Sequence, residues 1–150
     1  MLNETLIQHY ERDLNKLKTE IELYENEADL WKTTGAITNS GGHLCLHLIG
    51  NLNHFFGAVL GGTDYARDRD AEFSERQVSK AKLLSEIEAT FPVVKNTLEK
   101  LTPEDFAKTY PVEVFGRPMT TEYFLTYLVG HFNYHLGQIN YHRRLLASGL

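Results

Sequence analysis

Apolar residues recur at steps of three and four along four long stretches, the mark of amphipathic helices. The first stretch predicts a helix from about Glu4 to Glu25, with Asn3 as N-cap. Leu6, Tyr10, Leu14, Leu17, Ile21 and Tyr24 form its apolar stripe, and Glu11, Arg12, Lys16, Lys18 and Glu20 its solvated face. Residues 26–39 break the pattern and read as a linker anchored by Trp31. The second helix is SGGHLCLHLIGNLNHFFGAVLGG, capped by Asn39 or Ser40 and stopped by Gly61-Gly62. With its histidines neutral it carries no charge, which predicts burial on more than one side. A polar loop (residues 63–73) leads to a third helix with a capping box at Ser74 and Gln77 and a Phe73–Val78 staple. Its stripe is Leu84, Ile87, Phe91, Val94, Leu98 and Leu101, and Pro92 predicts a kink or local defect. Thr102-Pro103-Glu104-Asp105 reads as a capped single turn, and residues 110–118 as a short hairpin or ordered loop. The fourth helix begins after Thr120, with Met119 and Phe124 as staple, and runs to about Ala147. The sum is an all-α, four-helix bundle, one domain over residues 1–150.

Composition narrows the function. The chain has 150 residues, 42% hydrophobic and 23% charged, too apolar for disorder. No apolar run approaches the ~20 residues of a membrane span. The opening MLNETLIQHYERDL lacks a basic stretch followed by an apolar core, so no secretory signal is predicted. A net charge of −5 argues against a nucleic-acid partner. One cysteine excludes a disulfide framework and fits a reducing, cytoplasmic setting. Against that one Cys stand seven His, so imidazole must dominate any metal site.

Six of the seven form two trios with one spacing, His43, His47 and His54 on the second helix and His131, His135 and His142 on the fourth. Steps of four and eleven keep each trio within about 40° on one helix face. The i, i+4 members can share an ion, whereas the i+11 members lie ~10 Å further along the axis. On the fourth helix, His131 and His135 share the direction of Phe124, Leu128, Ile139 and Leu146 and point inward. They are either a metal pair or hydrogen-bonded core histidines. On the second, the trio lies beside Gly50, Gly57 and Ala58, opposite the bulky face. That is an exposed histidine face or a second buried side, and the lack of charge favours the latter. Cys45, about 200° from His43, reads as a buried inert thiol.

HLCLHLIGNLNHF on the second helix, the GGTDYARDRDAEFS loop and HFNYHLGQINYHRRLL on the fourth resemble the DinB-like (YfiT/bacillithiol-transferase-like) superfamily, in its branch of uncharacterised bacterial proteins. The resemblance covers nearly the whole chain. It implies a four-helix bundle, often a homodimer, holding a divalent metal, nickel or zinc, on His47, His131 and His135. His43, His54 and His142 match no ligand of the family and fall to surface, dimer or supporting roles. Better-studied relatives include thiol S-transferases using low-molecular-weight thiols and maleylpyruvate isomerase-type enzymes.

Three neutral imidazoles leave positions open, as catalytic metals require. The expectation is a metal-dependent thiol transferase or hydrolase acting on a small electrophile, with a low-molecular-weight thiol as co-reactant in the first case. The competing reading is a non-catalytic, dimeric metal-binding or stress-response bundle. Asn51, one turn after His47, and Tyr134 and Gln138, beside His135, are candidates to orient the ligands. Arg67 and Arg69 are candidates for an anionic substrate. Asp70 and Glu72 are the loop carboxylates best placed to reach a cleft, Asp70 being the candidate substrate contact. For all four the competing reading is a solvated charged loop. The uncharged second helix also predicts cover from a second copy of the chain.

Overall fold

The computed structural model describes residues 1–149. Four long helices form the bundle: α1 (Leu2–Glu22), α2 (Gly41–Leu52) continued by a π-helical segment (Asn53–Leu60), α4 (Lys80–Lys100) and α6 (Thr121–Ala147). Two short helices, α3 (Arg69–Ser74) and α5 (Pro103–Ala107), and a 3₁₀ turn (Glu27–Trp31) lie in the connections. Every residue of the predicted α1 stripe is buried. The helix starts earlier than Asn3 would allow, with Met1 as N-cap and its ammonium on Glu4. Asp13, also buried, holds the Arg12 guanidinium and takes a hydrogen bond from Asn133 Nδ2 on α6 at 2.6 Å.

Ser40 caps α2, its Oγ accepting from His43 N–H while His43 Nδ1 accepts from Ser40 N–H. Of the twelve residues of α2, all but Leu46 are buried. The cover comes from the chain itself, from α1, α4, α6, the 3₁₀ turn and α3, so the missing charge calls for no second copy. Trp31 closes over Gly42, where a Cβ would overlap its ring, and its neighbour Leu30 is the fully buried anchor. Cys45 is buried too, and burial pushes its thiol pKa up.

The start of the third long helix differs from the expectation. Ser74 ends the short helix α3, capped by Asp68, and α4 begins at Lys80 behind Ser79. The Glu27 carboxylate receives Lys80 N–H from across the bundle. The helix continues through Pro92 to Lys100. Its core positions are Leu83, Ile87, Thr90, Val94, Thr97 and Leu98. Thr90 and Thr97 are tolerated inside because their hydroxyls bond the carbonyls of Glu86 and Val93 one turn back. The turn at Thr102 and the cap at Thr120 form as predicted. Residues 110–118 are an ordered loop closed by a Thr109–Thr120 bridge, with Tyr110 buried and its hydroxyl donating to Phe55 O at 2.8 Å.

His43 and His142 are buried pins rather than surface groups. His43 Nε2–H donates to Glu75 O at 2.9 Å, and His142 bridges Tyr24 Oη and Lys32 O, each at 2.7 Å. They tie down the two connections that flank α2. His142→Ala would leave the partly exposed Lys32 carbonyl without its donor and the buried Tyr24 hydroxyl with only a 3.4 Å contact to Ile139 O, so stability should fall by about 2 kcal/mol. Urea unfolding of the variant checks this.

Candidate metal centre

His47 comes from the middle of α2, and His131 and His135 from one turn of α6. One ligand atom from each lies within 4.8 Å of the other two. The ring centroids are 4.6–5.1 Å apart, and the rings meet at 67°, 88° and 83°, like three walls of a corner. His131 and His135 are half-buried at the edge of the α6 stripe, whose centre is held by Phe132, Leu136 and Ile139. That edge position keeps their inner nitrogens open to a cavity.

Hydrogen bonds set the tautomers. His47 Nδ1–H donates to Glu72 Oε1 at 3.0 Å and His135 Nδ1–H to Gln138 Oε1 at 2.7 Å, so in the neutral form of each ring the lone pair sits on Nε2. The 3.2 Å contact of His47 Nε2 with His131 Nε2 is a hydrogen bond when His131 carries its proton on Nε2. Nδ1 of His131 is then a buried acceptor, and it has no partner. Burial, reinforced by His135, His47 and Arg67, lowers the His131 pKa to about 4. Burial also lowers that of His135, against the pull of Gln138. Both are therefore neutral at pH 7, the form a metal ligand needs.

Glu72 holds His47 in place. Its carboxylate takes Arg67 Nε at 2.8 Å and Arg67 Nη2 at 2.9 Å as well as His47 Nδ1. Nη2 also lies 3.3 Å from His47 Nδ1, but two donors face each other there and the contact follows from the bidentate pair. Burial alone would raise the Glu72 pKa. Hydrogen bonds from His47 and Arg67, with the Arg67 charge, outweigh it and hold the carboxyl below its ordinary value. Gly50, one turn along from His47, makes the approach feasible, because a Cβ there would overlap Glu72 Oε2.

A cavity of about 490 Å³ opens beside the three imidazoles. Phe55, Phe73, Val114, Phe115, Phe124 and Leu128 supply its apolar walls, and Asn39, Asn51, Arg67 and Arg69 its polar ones. No carboxylate lines it among the described residues. Asn51 is 5% exposed and makes no side-chain hydrogen bond, so it faces the cavity rather than orienting His47. Gln138 Oε1 accepts from His135 Nδ1, whereas Tyr134 is exposed and packs on the His135 ring at 5.2 Å. Arg67 is neutralised by Glu72, and Arg69 lies exposed at the rim over Phe73. Asp70 is exposed and outside the lining. His54 packs on Phe55, outside the trio. It lies at the start of the π-helical segment, seven residues and about 10 Å along the axis from His47.

The residues fit a divalent ion. Three imidazole nitrogens converge, two of the rings with their outer nitrogens anchored, in the pattern of His ligands backed by hydrogen-bond acceptors. A set with no charged ligand and an open cavity is that of a site with free coordination positions.

This helical fold is DinB-like. A DinB-like protein from Bacillus cereus ATCC 10987 superposes with a TM-score of 0.77 at 17% identity, over 96% of this chain and 92% of that one. A conserved protein from Enterococcus faecalis gives 0.77 at 16% identity, over 97% and 96%. At these identities the likeness is one of fold. The sequence model of the family described as "Protein of unknown function (DUF1572)" matches residues 4–149, and the chain belongs to that family. No curated protein matches the sequence.

Proposed function

We propose that this protein is a divalent-metal-dependent enzyme that transfers a low-molecular-weight thiol to a small electrophile, with His47, His131 and His135 as the metal ligands. The observation that carries the reading is the convergence of three imidazoles at an aromatic-walled cavity. A nickel or zinc ion held there would supply a Lewis acid that lowers the pKa of a thiol or water in its open positions. The chain's own residues favour the thiol. No carboxylate lines the cavity among the described residues, so none stands ready to take a proton from water. A thiol, with an ordinary pKa of ~8.5, needs far less help than water at ~15.7. Asn51 offers a buried donor and acceptor to the substrate, the phenylalanines exclude water around it, and Arg69 meets an anionic group at the rim. We read the molecule further as a cytoplasmic, single-domain homodimer whose partner molecules are small, with no nucleic acid or membrane. No helix among the described residues is long and apolar enough to cross a membrane.

The test uses untagged protein, stripped with chelator and reloaded with nickel or zinc. A panel of low-molecular-weight thiols is presented with a chromogenic aryl halide, and ester substrates are run in parallel. Thiol conjugation lost on stripping and restored on reloading is the expected result. Ester turnover alone would move the assignment to a hydrolase. Metal-dependent gain in thermal stability with no turnover would favour the non-catalytic binding bundle.

A further inference from the structure

The outer face of α6 is unlike the surface of the other helices. Tyr123, Tyr127, Tyr134 and Tyr141 are 48%, 42%, 65% and 66% exposed, and Gly130 and Gly137 lie among them. The six positions are spaced four, three, four, three and four, a heptad seam. A Cβ at either glycine would meet nothing within 4 Å, so each is an open notch between aromatic rings. Phe115 packs on Tyr127 at 4.8 Å and, with Val114, widens the exposed apolar strip. A groove of about 870 Å³ runs along this face, and its floor includes the outward edges of His131 and His135.

We infer that α6 pairs antiparallel with α6 of a second copy of this chain, and that the pairing closes the outer side of the histidine site. The inference gives a surface and a register to the dimer proposed above. Three pairs share one midpoint, the level of residue 132: Tyr123 with the partner's Tyr141, Tyr127 with the partner's Gly137, and Gly130 with the partner's Tyr134. An antiparallel two-fold thus sets each central tyrosine into a glycine notch of the other chain, a self-complementary contact. A parallel pairing would set tyrosine on tyrosine and glycine on glycine. Charge agrees with the antiparallel choice. Exposed Glu122 at one end of the seam comes within about a turn of the partner's Arg144 at the other. Four half-exposed tyrosines with Phe115 and Val114 supply the aromatic centre of an interface of standard size, roughly 800 Å² per partner. In this register the partner's Tyr134 lies over Gly130, next to His131. The partner chain therefore supplies one wall of the site, and the 490 Å³ cavity remains as the route in.

Light scattering at about 50 μM should give twice the 17.2 kDa chain mass. Gly130→Glu/Gly137→Glu should give the single chain mass with unchanged helical circular dichroism, since neither glycine touches anything in its own chain. Oxidising an equal mixture of Tyr123→Cys and Tyr141→Cys chains should link the two species to each other. Tyr123→Cys alone should stay unlinked, because its two copies would lie about 27 Å apart along the pair. Cys45 is buried and adds little background. A monomeric wild type, a mass unmoved by the glycine substitutions, or self-linking of Tyr123→Cys would each overturn the pairing. Metal content of the same samples keeps the two proposals apart. A dimer without metal upholds this interface against the metal site, and a metal-loaded monomer does the reverse.

Discussion

His131→Leu should empty the metal centre and, in metal-free protein, make the fold more stable. Of the three ligands His131 bears the greatest strain. It is flanked by two other imidazoles, its Nδ1 is buried without a partner, and its pKa is driven down to about 4. Two of three donors remain in the variant, too few to hold an ion against solvent. Elemental analysis of untagged protein should show occupancy dropping from about one ion per chain to under a tenth of that. Leucine in turn removes the orphaned nitrogen. An unsatisfied buried group costs ~1–3 kcal/mol, and half-burial places the gain near the lower figure. That corresponds to a rise of roughly 2–4 °C in Tm for a chain of this size. The pH dependence follows with a definite sign. The unfolded chain takes up a proton on this histidine near 6.5 and the folded chain only near 4, so the folded state loses stability as pH falls from about 6.5 towards 4. His135, His43 and His54 are shifted the same way, in each case first by burial. Thermal melts in chelator from pH 7.5 to 4.5 should slope less steeply for His131→Leu than for wild type. Unchanged metal content in the variant would place the ion elsewhere.

What could be read from the chain depended on whether the deciding contact was local. α6 was legible to within a residue, because its cap (Thr120) and staple (Met119, Phe124) lie beside it in sequence. α4 was not. The Ser74–Gln77 box is a sound local signal, but Glu72 is drawn to Arg67 and His47, and Glu27 receives Lys80 N–H from across the bundle. Those contacts move the cap by five residues, from Ser74 to Ser79, and the helix starts at Lys80. The paired trios had the same fate. Their spacing only grouped six histidines on two helix faces; the family resemblance picked His47, His131 and His135 from them, and these three do converge. His43 and His142 instead bond the backbone carbonyls of Glu75 and Lys32, and a carbonyl leaves no trace in sequence. Helical geometry pointed to Asn51 to orient His47, since residues one turn apart share a face. The structure uses Glu72, because a carboxylate bonds an imidazole N–H more strongly than a carboxamide does. The local clue was Gly50, a notch on the histidine face of an otherwise bulky helix.

That notch sets up the second large effect. Gly50→Ala should weaken both the fold and the metal centre, although alanine is the better helix former by ~1 kcal/mol. The added methyl would occupy the position of Glu72 Oε2, so the carboxylate must withdraw. Withdrawal leaves the Arg67 guanidinium without its bidentate partner and His47 Nδ1–H without its acceptor. Breaking a buried pair by displacing one member costs ~3–5 kcal/mol, and after the helix gain a net loss of roughly 2–4 kcal/mol should appear in urea unfolding. Freed from Glu72, the His47 ring can rotate or change tautomer, and metal affinity in a chelator competition should fall ~10–100-fold. Glu72→Gln keeps the shape and an acceptor oxygen for His47, so its affinity loss should be under tenfold. The path of the effect is tested by the cycle with Glu72→Ala. If the methyl acts only by expelling the carboxylate, Gly50→Ala/Glu72→Ala should bind metal no more weakly than Glu72→Ala alone, and should recover the helix gain in stability. Additive losses would mean that alanine at position 50 disturbs His47 directly, and that Glu72 is a structural ion-pair partner of Arg67 with no hold on the site.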